Sequence, residues 1–109
     1  MTDKIVVLAT CAGEEEAVRI ARRLVEKRLA ACVNVHGAMR SIYRWQGQVE
    51  CDPERQVVIK TARGRLSALE ARLRALHPYE MPEFVVLSAE AGSAAYLAWV
   101  AAEVGSAGP

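Results

Sequence analysis

The chain has no excess of either charge: 14 lysines and arginines stand against 13 aspartates and glutamates, for a formal net charge of +1. Such a balance gives no field for gathering nucleic acid or an anionic membrane surface. Long hydrophobic runs are missing too. Nothing approaches the ~20 residues of a membrane span, and Ile5–Leu8 is too short for the core of a secretory signal, so a cytoplasmic protein is expected, with no nucleic-acid and no membrane partner. Cys11, Cys32 and Cys51 are an odd number with no C-x-x-C pair, which argues against a disulfide framework and an all-cysteine zinc site and leaves reduced thiols. The single phenylalanine, Phe84, leaves no room for the aromatic strand on which RNA-recognition modules stack bases. Walker loop, dinucleotide fingerprint and Met-x-Cys-x-x-Cys are all absent, and the stretch Ala12-Gly13-Glu14-Glu15-Glu16 is too acidic to cradle phosphate. With no assembled nucleophile and base, no enzymatic activity is expected.

What the chain does have is enough apolar residue, 52%, for one proper core, and a single domain over residues 1–105 is expected, followed by a disordered tail at 106–109. Its most distinctive stretch runs from Ala31 to Trp45. Odd positions there are mainly apolar and even ones mainly polar, apart from Ile42, the period of a strand. Gln46-Gly47 supplies a turn, and Gln48–Thr61 runs back with Val49, Val57, Val58 and Ile59, which makes one hairpin. At ~3.3 Å per residue its first arm can extend for roughly 50 Å, too far for a compact domain of this length. The tip, with Tyr43 and Trp45, therefore needs cover from another copy of the chain. Asp52-Pro53 interrupts the return arm, because proline donates no hydrogen bond, and a bulge is expected between Cys51 and Glu54 that brings Val57 and Ile59 beside Val33 and Val35.

The remaining elements follow from local pattern. Ile5–Leu8 is aliphatic throughout, as in a central strand buried on both faces. After Gly13, acidic residues precede an apolar stripe of Ala17, Ile20, Ala21 and Leu24, and basic residues end it, the charge order a helix dipole favours. Leu66, Leu69, Leu73 and Leu76 mark a second helix that Pro78 stops at His77. Phe84–Leu87 is a short apolar strand, and Gly92-Ser93 caps a last helix that Gly105 ends. Strand, helix, strand, strand, helix, strand and a short final helix make a ferredoxin-like βαββαβ sandwich, an α/β (α+β) fold with an extended hairpin.

Ala31-Cys32-Val33-Asn34-Val35, Ser41-Ile42-Tyr43-Arg44-Trp45-Gln46-Gly47, His77-Pro78-Tyr79 with Pro82-Glu83, and Tyr96-Leu97 with Trp99 together resemble the CutA family of divalent-cation tolerance proteins, in the same order and at the same spacing. Thr10-Cys11-Ala12 and Leu87-Ser88 depart from that family's pattern without touching its fold. The resemblance implies a homotrimer, with Tyr43, Trp45 and Val49 in the interface, and an association with copper or another divalent cation. It singles out His77 and the nearby Glu83, to which Cys11 adds a soft ligand at a strand end. The expected site is peripheral to folding and modest in affinity, since no four closed ligands lie at short spacing. A trimeric scaffold or small-ligand sensor, resembling PII signalling proteins in plan and using clefts between subunits, is the alternative.

Overall fold

The computed structural model describes residues 2–105; the tail expected at 106–109 lies outside them. In strand β1 (Lys4–Cys11) the residues Ile5, Val7 and Ala9 point into the core, and the strand lies between two neighbours. Helix α1 (Glu14–Glu26) buries Ala17, Ile20, Ala21 and Leu24 at helical spacing, with Glu14, Glu15 and Glu16 at its positive end. Helix α2 (Leu66–Leu76) enters through a 3-10 turn and buries Leu69 and Leu73. It stops as Pro78 requires, with His77 extended (φ −86°, ψ 131°). Between the helices lie β2 (Cys32–Trp45) and β3 (Gln48–Ala62), and strand β4 (Val85–Ser88) follows α2. Ser93 caps α3 (Ala94–Gly105): its Oγ accepts the Tyr96 amide at 3.0 Å.

The strands form one antiparallel sheet in the order β2-β3-β1-β4, and α1 and α2 share a single core with it. This is the expected ferredoxin-like arrangement. Its second face differs from expectation. Val6 and Leu8 are only half-buried and Val85 and Leu87 are exposed, because among the described residues no helix layer covers that side of the sheet. α3 reaches only one end of the face, where Val100 and Val104 pack against Ala31 and Ala62.

The hairpin turns through Gln46 (φ 51°) and Gly47 (φ 81°), the pair of left-handed residues that a two-residue I′ turn needs, so Trp45 faces Gln48. From Trp45 to Ala38 pairing is regular and passes straight through Pro53, opposite Arg40. The expected bulge at 51–54 is therefore absent. β1 ends opposite Arg55, so beyond that point the outer edge of β3 is open and a proline there deprives no neighbour of a bond. The irregularity lies on the other arm, between Val35 and Ala38, where β2 carries one extra residue. It produces the pairs Val33–Ile59 and Val35–Val57 that the core requires. It also switches the alternation, so that Ile42 shares a face with Val33 and Val35, while Tyr43 and Trp45 lie on the opposite face. That switch accounts for Ile42, the large apolar residue out of phase in the sequence.

Candidate metal centre

Three connections meet at the end of β1. Cys11 is the last residue of that strand and His77 the first after α2. The turn Ala12-Gly13 leads at once into α1, and Glu16, third residue of that helix, reaches back so that its Oε1 accepts the Ala12 amide at 3.4 Å, much as a capping-box glutamate does. The donor atoms of Cys11, Glu16 and His77 all lie within 4.8 Å of one another.

Each donor is already committed. Burial pushes the Cys11 thiol up to about 11, helped by the carboxylates of Glu16 and Glu54 and opposed by Arg19. Buried His77 uses both ring nitrogens: Nε2–H donates to the Thr10 carbonyl at 2.6 Å, and Nδ1 accepts the Tyr79 amide at 3.2 Å. A carbonyl can only accept and an amide can only donate, so this pattern fixes the Nε2–H tautomer. The imidazole also lies against the Tyr79 ring, with centroids 4.5 Å apart. His77 is thus the first fastening of a strap, residues 77–83, tied along the rim of the sheet. Tyr79 Oη donates to Glu54 at 2.9 Å, and its phenol is pushed far up by burial and by that bond. Gln56 Nε2 donates to the Ala9 carbonyl at 2.7 Å and to the Glu83 carboxylate at 3.0 Å.

Of the residues expected to bind metal, Cys11 and His77 come together, with Glu16 as the third member of their group, and Glu83 stands apart, held by Gln56. Read as a first-turn charge, Glu16 was concealed by its helix-dipole role. The detectable signal was a glutamate at the third helical position directly after a tight turn from a strand end. Thiolate, imidazole and carboxylate form a borderline donor set suited to copper or zinc. Ligands around such an ion sit roughly 3.5 Å apart, given metal–ligand bonds of about 2.0–2.3 Å. The group therefore fits after a contraction of about 1 Å, loss of the thiol proton and surrender of one His77 hydrogen bond. Cys32 is half-buried, Cys51 exposed, and both are free thiols away from this group. At the hairpin tip Tyr43, Trp45 and Val49 are all exposed, with Val49 at 66%.

The family model described as CutA1 divalent ion tolerance protein matches residues 5–103. The divalent-cation tolerance protein CutA of Thermus thermophilus is 47% identical over 100 residues, covering 92% of this chain and 97% of that one. Protein CutA of Mus musculus is 47% identical over 91 residues, and there the match spans 84% of this chain but only 51% of the mouse protein, about half its length. Among solved structures, CutA from Xylella fastidiosa superposes with a TM-score of 0.92 at 40% identity, covering 94% of this chain and 99% of that one.

Proposed function

We propose, from the premise that the chain belongs to the CutA1 divalent ion tolerance family, that it takes part in metal tolerance by binding copper or another divalent cation at Cys11, Glu16 and His77. The convergence of those three donors at one strand end is the observation that carries the reading. Bound there, an ion would be held by a thiolate, an imidazole and a carboxylate and would leave a coordination position open for exchange. The protein's role is binding rather than catalysis. Because the core of Ile5, Val7, Ile59, Leu69 and Leu73 is complete without an ion, the site is an accessory to the fold and not its keystone. Calorimetric titration with Cu(I), Cu(II) and Zn(II) tests this. Stoichiometric binding at micromolar affinity, weakened in Cys11→Ser and in His77→Ala, is expected; unchanged affinity in both variants refutes it.

The working unit is a cytoplasmic homotrimer. Beyond Arg55 the hairpin continues as a two-stranded ribbon, and the longest extent of the chain is 43 Å against 25 and 23 Å across. The ribbon exposes Tyr43, Trp45 and Val49, and the uncovered sheet face adds Val85 and Leu87. Apolar surface of that extent is characteristic of a face that another subunit covers. Sedimentation equilibrium giving a stable monomer at micromolar concentration would sink the trimer, and fractionation of cells placing the protein outside the cytoplasm would sink its location. Among the described residues no helix is long and apolar enough to cross a membrane.

A second reading, the small-ligand sensor of PII-like plan, is favoured by a different observation. A cavity of about 960 Å³ lies along the ribbon, between it and the strap, and none of the three converging donors lines it.

A further inference from the structure

A neutral imidazole has one N–H and one lone pair, and His77 uses both. Nε2–H donates to the Thr10 carbonyl at 2.6 Å, and the lone pair of Nδ1 accepts the Tyr79 amide at 3.2 Å. The first bond is short, and the second sits at the long end of the range for N–H donors. A ligand histidine must give its lone pair to the ion, so His77 can hold a metal or the Tyr79 amide, not both. Coordination through Nδ1 takes the lone pair directly and spares the Thr10 bond. Coordination through Nε2 shifts the ring proton to Nδ1, where two N–H groups then face each other. Whichever nitrogen is used, the Tyr79 amide loses its acceptor.

We propose that metal binding at Cys11, Glu16 and His77 unfastens the strap at Tyr79, so that the position of the strap reports whether the site is loaded. The proposal deepens the metal-binding reading and rests on it. Tyr79 is held to the rim by its amide on His77, by its ring against the imidazole, with centroids 4.5 Å apart, and by its hydroxyl on Glu54 at 2.9 Å. A half-buried amide without an acceptor is costly, so residue 79 turns out to water instead of staying in place. Pro78 has a fixed φ and absorbs little of that movement, so the ring and hydroxyl leave with the amide. The ends of the strap keep their bonds: the His77 amide donates to the Leu73 carbonyl at 2.8 Å, and Gln56 holds Glu83 at 3.0 Å, away from the converging donors. The strap thus opens in its middle, and the exchange involves neither Tyr43 nor Trp45 on the ribbon. Linkage makes the effect reciprocal, since whatever loosens Tyr79 in the empty protein strengthens metal binding.

Zinc is the probe, because it is redox-inert and leaves the thiol unoxidised. Amide exchange in the full chain is followed by NMR, in EDTA and separately with one equivalent of Zn(II), and Zn(II) affinity is measured by calorimetry in the unsubstituted chain and in Tyr79→Phe. The Tyr79 amide is expected to exchange at least about tenfold faster with zinc, while the His77 amide keeps its protection. Tyr79→Phe removes only the hydroxyl on Glu54, and it should bind zinc about threefold tighter or more, whereas loss of a residue that merely supported the site would weaken binding. Circular dichroism checks that the variant is folded. Absence of zinc binding in both proteins overturns the metal-binding reading and the strap proposal with it. Zinc binding with the Tyr79 amide as protected as before, or with Tyr79→Phe no tighter than the unsubstituted chain, overturns the strap proposal and leaves the metal centre standing.

Discussion

Replacing His77 by alanine should destabilise the protein by about 3 kcal/mol even when every metal ion has been chelated. The ring is 6% exposed and joins two backbone groups, the Thr10 carbonyl and the Tyr79 amide. Leaving such groups without a partner costs ~1–3 kcal/mol each. Losing the packed Tyr79 ring adds ~0.5–1.5 kcal/mol, and water entering the vacated space offsets part of the total. Glutamine places an amide N–H near the position of Nε2–H and accordingly should recover about half the loss, since it can still donate to Thr10 while leaving Tyr79 unbonded. Guanidinium unfolding at one fixed protomer concentration, with EDTA, measures both variants, and an unchanged slope certifies that the change is one of stability. Copper affinity should fall in alanine and glutamine variants alike, because neither supplies an imidazole. An alanine cost under about 1 kcal/mol, or a glutamine variant no better than alanine, would mean that the ring does not fasten the strap.

Glu16→Gln should weaken copper binding about tenfold while Glu83→Gln leaves it unchanged, in calorimetric titration; the opposite order returns the carboxylate ligand to the strap. The Cys11 thiol, pushed up to about 11 from an ordinary 9.0, favours the folded state while protonated, so metal-free protein should lose stability as pH rises from about 9 to about 11, and Cys11→Ser should flatten that fall in urea melts. Trp45→Ala and Val49→Asp should shift sedimentation equilibrium towards monomer without lowering helix content, since neither side chain belongs to the single-chain core. Pro53→Ala should change unfolding free energy by no more than about 0.5 kcal/mol, because its register is regular and its outer edge open; a larger effect in chemical denaturation contradicts the observed pairing.

The fold was legible because each element announces itself by one local device: the leucine spacing and Pro78 for α2, the acid-to-base order for α1, and the serine cap for α3. The Cys11, Glu16 and His77 group was only partly legible. Strand and helix ends that converge in space are remote in sequence, and nothing in the sequence shows that the turn at Ala12-Gly13 brings Glu16 back to Cys11 and His77 while Gln56 holds Glu83. The bulge failed for an instructive reason. Sequence correctly posed the conflict: the two-residue turn sets Trp45 against Gln48, whereas the core needs Val35 against Val57, and these registers differ by one residue. Pro53, which donates no hydrogen bond, marks a natural place to absorb it. An extra residue in the return arm, however, moves the register away from Val35–Val57, and only an extra residue in the first arm moves it there. The irregularity falls beside Gly37, where no side chain has to be accommodated and an added Cβ would meet nothing within 4 Å. The same residue separates two functions of one hairpin. Below the bulge the strands serve the core through Val33, Val35, Val57 and Ile59; above it the turn's register sets Tyr43 and Trp45 on the opposite face of the ribbon, with Asp52 and Glu54, where Asp52 accepts the Tyr43 hydroxyl.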